Sequence, residues 1–210
     1  MKIMSDEGGI GARATSQPLY RRILGSAFDS LPPRLRELHG TSEARRWSGH
    51  AEVRHGGGLL ARMVRGAVGF PKAGSNVPLV VAFTPEGEGE RWTRSFDGKD
   101  FSSHQSAGEG RDEYLLTERF GLATFALALV VEGERLLLVP RRWSLLGVPM
   151  PALLLPKGIS FEHESEGRFC FDVEISMPGV GLIVGYRGSL EPCGGLIFLD
   201  TPVGFTARTR

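Results

Sequence analysis

Residues 78–106 read PLVVAFTPEGEGERWTRSFDGKDFSSHQS, and this stretch decides the class of fold. Apolar and polar residues alternate along three short runs, and a period of two puts one kind of side chain on each face of a strand. The runs are separated by residues 85–89, PEGEG, and by Asp97-Gly98, which accept the positive φ of tight hairpin turns. The stretch predicts three antiparallel strands, at 78–84, 90–97 and 99–106.

The same rhythm continues towards the carboxyl terminus. It predicts strands at 112–120, 122–131, 134–141, 159–165, 168–176 and 181–187, and more weakly a first strand at 49–55. Apolar residues at helical spacing predict helices mainly within 17–70, including one at 59–69. Both faces of the strand 122–131 are apolar and one is small, so the 59–69 helix is expected to lie against it. Residues 1–15 are polar and contain glycine, which predicts a disordered leader before a single β-rich domain, 16–210.

The order of these elements indicates a mainly β fold. We expect a curved antiparallel up-and-down sheet or barrel of the lipocalin or fatty-acid-binding-protein type, with N-terminal helices. The alternative is the α+β helix-grip fold of START-like proteins, which normally ends in a long C-terminal helix. Residues 193–210 are rich in glycine, proline and β-branched residues and have no helical pattern, so the barrel is preferred.

Composition excludes several function classes. Lys plus Arg is 25 and Asp plus Glu is 24, so no basic excess argues for nucleic acid as a partner. Neither a dinucleotide-binding loop nor a Cys/His pattern with metal-ligand spacing occurs, so we expect no cofactor and no metal. The chain has no signal-peptide pattern and no apolar run long enough to span a membrane, so we expect a cytoplasmic protein.

Residues 143–156, WSLLGVPMPALLLP, interrupt the hairpin rhythm. They are apolar, and Pro149, Pro151 and Pro156 exclude a central strand or an unbroken helix. Long apolar connections of this kind often serve as lids or binding loops. We therefore expect this segment to cover the mouth of a cavity, and its apolar character also suits contact with a membrane surface.

Strand faces identify polar residues that point inward. Arg94 shares a face with aromatic residues on its strand, and Glu118 and His163 do so on theirs. The residues predicted to line a ligand site are Trp92, Arg94, Phe96, Tyr114, Glu118, Phe161 and His163, with Leu146 and Met150 from the 143–156 segment. Arg94 and Glu118 are predicted to lie close together, across a middle strand that presents Ser103 between them.

A buried charge is costly unless it is paired, so this set has two interpretations. In one, Arg94 and Glu118 form a purely structural ion pair, which we favour because structural networks also place charges inside proteins. In the other, they hold the polar end of an apolar small molecule or lipid. A third hypothesis is a cofactor-independent enzyme, of cyclase or isomerase type, in which Glu118 or His163 is the acid/base and Arg94 stabilises an anion.

The chain also resembles a known family in the segments LYRRILGSAFDSLPPRLRELHG, RWTRSFDGKDFSS, TERFG, LLGVPMPALLLPKG and RFCFDVEISMPGVGLIVGYRG. They run from residue 19 to about 188 and resemble the uncharacterised bacterial domain-of-unknown-function family 4166. Members of this family occur alone or behind an NAD(P)-binding dehydrogenase-like domain. The resemblance implies a metabolic context and a dehydrogenase-like partner, and it assigns no catalytic residue.

Overall fold

A computed structural model describes residues 17–158 and 160–194. The predicted leader, 1–15, lies outside the described residues, as does most of the tail. The helices are α1 (Leu19–Leu24), α2 (Pro33–His39) and α3 (Leu59–Val68), with 3-10 turns at Gly25–Ser30, Gly110–Asp112 and Ala152–Leu154. The strands are β1 (Arg45–His55), β2 (Gly74–Glu86), β3 (Gly89–Phe96), β4 (Lys99–Ala107), β5 (Leu116–Phe120), β6 (Ala123–Glu132), β7 (Arg135–Leu145), β8 (Val148–Pro149), β9 (Ser160–Ser165), β10 (Arg168–Met177) and β11 (Gly181–Pro192).

The sheet closes into an antiparallel barrel of ten strands, with β8 as a short appendage on β7. Each barrel strand pairs with the next one along the chain, and β11 returns to pair with β1 from Trp47↔Pro192 to His55↔Val184. This closure confirms the predicted barrel and excludes the helix-grip alternative, in which the sheet stays open around a helix. Aromatic and branched side chains from the inner faces of the strands belong to one continuous hydrophobic core.

The seam along which β7 and β9 pair is the shortest in the barrel, one pair shorter than the seam between β4 and β5. Strands β7 and β9 pair only at Arg135↔His163, Leu136↔Glu162 and Leu137↔Phe161, whereas β6 and β7 pair along ten positions. Beyond Leu137 the two strands are no longer paired, and this gap is where the chain runs through the segment between β8 and β9. The barrel is therefore closed all round at one level and split at another.

The two ends of the barrel differ. Alternate connections of an up-and-down barrel lie at the same end, so the β2–β3, β4–β5, β6–β7 and β9–β10 turns share one end. Helices α1 and α2 close this end, which we call the capped end: the Arg34 backbone N–H donates to Glu164 Oε2 at 2.8 Å, and its side chain donates to the Gly167 carbonyl at 2.6 Å. The opposite end, which we call the loop end, carries α3 and the segment between β7 and β9.

Several details differ from the sequence expectations. Strands β1 and β2 each begin four residues earlier than predicted, and β11 ends five residues later. The strand predicted at 112–120 begins only at Leu116, because a 3-10 turn and Tyr114, with φ 66°, precede it. Strand β7 continues to Leu145, four residues beyond its predicted end. Helix α3 was expected against 122–131, but Arg65 ties it to β11 through the Ile183 carbonyl at 3.2 Å.

Candidate functional site

The barrel encloses a cavity of about 380 Å³ that reaches towards the loop end. Most of its lining is apolar and comes from inward faces of the strands, such as Val81, Phe96, Leu138 and Phe171. The polar side chains on its wall include Tyr20, Arg94, Gln105, Glu118, Glu162 and Tyr186. The interior is therefore a mainly apolar space with a few polar groups at defined positions, the usual construction of a small-molecule site.

The first polar cluster lies on three neighbouring strands, β3, β4 and β5. Arg94 on β3 donates through Nη2 to Glu118 Oε1 on β5 at 3.3 Å, and through Nη1 to Ser103 Oγ on β4 at 2.9 Å. Ser103 Oγ in turn donates to the same Glu118 oxygen at 2.7 Å. Arg94 and Glu118 thus meet across Ser103 inside the barrel, in the placement that the strand faces predict.

One oxygen of Glu118 is saturated and the other is free. Besides Arg94 and Ser103, Gln105 Nε2 donates to Oε1 at 3.0 Å. Oε2 accepts no hydrogen bond from the described residues and is not sealed off, since Glu118 lines the cavity. Three donors hold the carboxylate in one orientation, so its second oxygen presents a fixed acceptor to whatever occupies the cavity.

A second cluster forms where the N-terminal helices enter the barrel. His39, at the end of α2, lies fully buried, and its Nε2 is 2.6 Å from Glu162 Oε2 on β9. Tyr20, on α1, stacks on His39 with ring centroids 3.7 Å apart and donates its hydroxyl to Gln105 Oε1 at 3.1 Å. Through Tyr20 and Gln105 the two clusters form one network that joins the cap to the barrel.

The alternation of residues along β9 predicts the wrong inner face for this strand. Phe161 and His163 were predicted to face inward, but Glu162 pairs with Phe171 and Leu136, both buried in the core, so Glu162 is the inward residue. His163 lies on the outer face, where burial, followed by the charge of Arg135, lowers its pKa. It therefore does not meet Arg94 or Glu118, and its predicted role as acid/base in the cavity lacks the required geometry.

The other predicted lining residues divide into two groups. Trp92 and Phe96 face inward and line the cavity together with Arg94, as expected. Tyr114 is 74% exposed in the loop before β5, so the prediction that it faces inward is wrong. Phe161 borders both the cavity and a shallow outer groove, and its ring lies under the Arg135 guanidinium, 4.8 Å from the ring centroid.

The 143–156 segment lies at the gap between β7 and β9, where the cavity approaches the surface. The Met150 N–H donates to the Trp143 carbonyl at 3.0 Å on one side, and Lys157 exchanges two backbone hydrogen bonds of 2.7 Å with Ser176 on the other. Trp143, Leu145 and Pro156 line the cavity, whereas Leu146 and Met150, the two residues predicted from this segment, do not. Leu146 sits at the tip of the β7–β8 hairpin and is 68% exposed.

Sequence reasoning missed Tyr20, His39, Gln105, Glu162 and Tyr186 as interior polar residues. The sequence did contain a signal for Gln105, which shares a face with Phe101 and Ser103 on β4. Nothing local marks Glu162, because its face is set by the pairing of β9 with β7 and β10, and its partner His39 lies more than a hundred residues earlier. His39, the last residue of α2, provides the buried partner of this carboxylate.

The two buried tyrosines stay protonated at ordinary pH. Burial, followed by the neighbouring Glu162, raises the pKa of Tyr20 well above its usual value. Burial also raises the pKa of Tyr186 to about 12, in spite of an opposing effect of Arg94. Tyr186 accordingly offers the cavity a neutral hydroxyl and not a phenolate.

We expect the free energy of unfolding to fall between about pH 10 and pH 12. An unfolded tyrosine releases its proton near pH 10, about two units below the folded value for Tyr186. The folded state binds more protons in this window, so its stability declines as pH rises. Urea midpoints at a series of pH values test this. Tyr186→Phe should weaken the decline and Tyr114→Phe, at an exposed site, should not; equal slopes in all three proteins would contradict the argument.

A family model matches residues 31–190, and its description is Domain of unknown function (DUF4166). The matched range begins after α1 and ends near the end of β11, so it contains Arg94, Glu118 and Glu162 but not Tyr20. Neither the curated proteins nor the solved structures contain a match to this chain. Among the described residues, no helix is long and apolar enough to cross a membrane.

Proposed function

This chain belongs to the family described as Domain of unknown function (DUF4166), and we propose that it binds a small, mainly apolar molecule carrying a hydrogen-bond donor. The observation that carries the proposal is the free oxygen of Glu118 on the wall of an apolar cavity of about 380 Å³. A volume towards the lower end of the range of about 300–1,000 Å³ usual for ligand sites suits one small molecule.

The polar groups of the cavity select for a donor. Arg94 already donates to Glu118 and Ser103, so it is not available as the main partner of an anionic head group. Lys157 also lines the cavity, but it belongs to the segment at the gap between β7 and β9 and not to the Arg94–Glu118 network. Glu118 Oε2 and Glu162 Oε1 both accept nothing from the described residues, and both carboxylates line the cavity. A ligand hydroxyl or amine satisfies these acceptors, whereas a ligand carboxylate meets like charge.

A competition series tests this preference. The fluorescent, uncharged probe N-phenyl-1-naphthylamine is expected to brighten on entering the cavity, and 1-decanol or decylamine should displace it at pH 7. Decanoate should be at least about tenfold weaker, because a hydrogen bond to a charged group contributes roughly 1.5–3 kcal/mol and repulsion replaces it. Displacement by decanoate as effective as by 1-decanol would refute donor selection.

The charge on Glu118 can be removed with little change in shape. In Glu118→Gln the amide still accepts from Ser103, so the preference for decylamine over 1-decanol should fall by about tenfold while the probe still enters. Glu109→Gln, at an exposed site near the capped end, is the matched control and should bind as the wild type does. If the probe brightens with neither the wild type nor any variant, the cavity is not a ligand site.

A second candidate function is cofactor-independent catalysis, and the same carboxylate favours it. Three donors orient Glu118 so that Oε2 faces the cavity, the arrangement required of a general base in a dry site. Native mass spectrometry separates the two functions. If Glu118→Gln retains a co-purified molecule that the wild type converts into another mass, the protein is an enzyme; if both hold the same molecule, it is a binding protein.

We also propose a dehydrogenase-like partner, which would act in the same metabolic context as the bound molecule. A barrel filled completely by side chains would favour a domain that only mediates protein contacts. The cavity of about 380 Å³ supports a ligand in addition to any partner.

A further inference from the structure

Exposed apolar side chains are concentrated at the loop end of the barrel. Twelve large hydrophobic residues are exposed among the described residues, and only Tyr114 and Val130 lie away from this end. We call the remaining ten the apolar rim. Its members are Leu59, Leu60, Met63, Val68, Leu122, Leu145, Leu146, Val148, Leu153 and Leu154.

Helix α3 turns much of its apolar surface to solvent. Leu59, Leu60 and Met63 are 67%, 57% and 64% exposed, whereas Ala61 is buried and Val64 lines the cavity. Arg65 donates to the Gly56 carbonyl at 2.9 Å and so holds the helix in this orientation. The exposure of these side chains therefore belongs to the folded state and is not caused by a loose helix.

The hairpin tip at Leu146 adds an independent observation. Leu146 and Gly147 both have positive φ, 52° and 78°, and form a two-residue turn. The equivalent positions of two other tight turns hold Asp97 and Glu166, polar residues that suit an exposed turn better than leucine does. A leucine that is strained and 68% exposed has no folding advantage, which indicates that its side chain serves a contact outside the chain.

Charge is distributed unequally between the two ends. The connections at the loop end contain four basic residues and one acidic residue, while those at the capped end contain five basic and nine acidic residues. The loop-end connections are 56–73, 97–98, 121–122, 146–158 and 178–180, and the capped-end connections are 17–44, 87–88, 108–115, 133–134, 166–167 and 193–194. An anionic surface therefore attracts the loop end and repels the capped end.

We propose that the apolar rim docks on the surface of an anionic lipid bilayer. Exposed leucines can insert among the acyl chains of a bilayer, while neighbouring Lys and Arg side chains contact the lipid phosphates. The docked face contains the gap between β7 and β9, so a molecule leaving the bilayer enters the cavity without crossing water.

Vesicle co-sedimentation of the full chain tests the docking. The protein is expected to sediment with vesicles of phosphatidylcholine and phosphatidylglycerol in a 3:1 ratio, to bind pure phosphatidylcholine at least about tenfold more weakly, and to release in 0.5 M NaCl. Leu60→Ser with Met63→Ser should weaken binding about tenfold or more. Tyr114→Ser, which removes an exposed aromatic residue at the capped end, is the control and should bind as the wild type does.

Leu146→Asn keeps the proposal testable if the other rim variants fold poorly. Asparagine accepts positive φ, so this variant should melt no lower than the wild type while binding vesicles more weakly. Wild-type protein that ignores anionic vesicles, or rim variants that bind as well as the wild type, would overturn the proposal. A dimer that dissociates only in the rim variants would also overturn it and identify a second copy as the occupant.

Membrane docking and ligand binding by the cavity are separate proposals, and their tests can fail independently. Vesicle binding without brightening of N-phenyl-1-naphthylamine would leave the rim as a membrane surface and reject the proposed ligand site. Brightening without vesicle binding would reject the membrane surface alone.

Discussion

Arg94→Met is expected to lower the free energy of unfolding by about 3–5 kcal/mol, because it leaves Glu118 as a buried charge without its cation. Both side chains are about nine-tenths buried, so solvent offers little compensation. The change also removes the guanidinium from above the Trp92 ring, 4.9 Å from its centroid. Urea unfolding followed by tryptophan fluorescence measures the effect.

The control lies on the same strand. Arg91 bonds Glu86 in an exposed pair, so Arg91→Met should cost less than about 1 kcal/mol. Glu118→Leu combined with Arg94→Met should cost at least about 2 kcal/mol less than the sum of the single changes, because the two charges share one network. An Arg94→Met cost no greater than that of Arg91→Met would show that the Arg94 charge is not effectively buried.

His39→Phe is expected to lower the free energy of unfolding by about 3 kcal/mol. Phenylalanine preserves the stacking on Tyr20 but removes the N–H that lies 2.6 Å from Glu162, and leaves that carboxylate without its buried donor. The lost hydrogen bond joins the helical cap to β9, so this junction is the part of the structure that is weakened. Hydrogen exchange should therefore speed up first in α1 and α2, before the barrel strands lose protection.

An exposed histidine provides the comparison. His50→Phe should change the free energy of unfolding by no more than about 0.5 kcal/mol, because His50 lies at the surface of β1. Adding Glu162→Leu to His39→Phe should restore part of the loss, since an apolar pair replaces a stranded charge. If adding Glu162→Leu instead lowers the free energy of unfolding further, the Glu162 side chain has a second partner, either water or a bound molecule.

The sequence predicts the barrel well because its determinants are local. Alternation and turn residues such as Asp97-Gly98 fix strand positions to within a few residues, and short connections leave sequential neighbours as the natural pairs. The pairing of Arg94 with Glu118 follows from the same local information, since only one short strand separates theirs. The aromatic neighbours of Arg94, Trp92 and Phe96, identify the inner face without knowledge of the rest of the fold.

Prediction fails where orientation depends on a distant segment. Strand β9 carries an aromatic residue and a histidine on one face and two glutamates on the other, so apolar patterning gives the wrong inner face. Glu162 points inward in the ladders with β7 and β10 and meets His39 there, and local patterning contains no information on that contact. Tyr114 fails for another reason, since a 3-10 turn and a left-handed residue replace the strand start that its alternation indicates.

The three-residue pairing between β7 and β9 has a consequence for the fluctuations of the native state. Opening this seam breaks far fewer ladder hydrogen bonds than opening the seam between β1 and β11, which pairs from Trp47 to His55. The β4–β5 seam pairs at only four positions, but the hydrogen bonds of Ser103 and Gln105 to Glu118 also cross it. Low-energy excursions of the native state should therefore begin at the β7–β9 seam. The rate at which a molecule enters or leaves the interior is then set by a small, fast fluctuation of one seam, and not by the global stability of the fold.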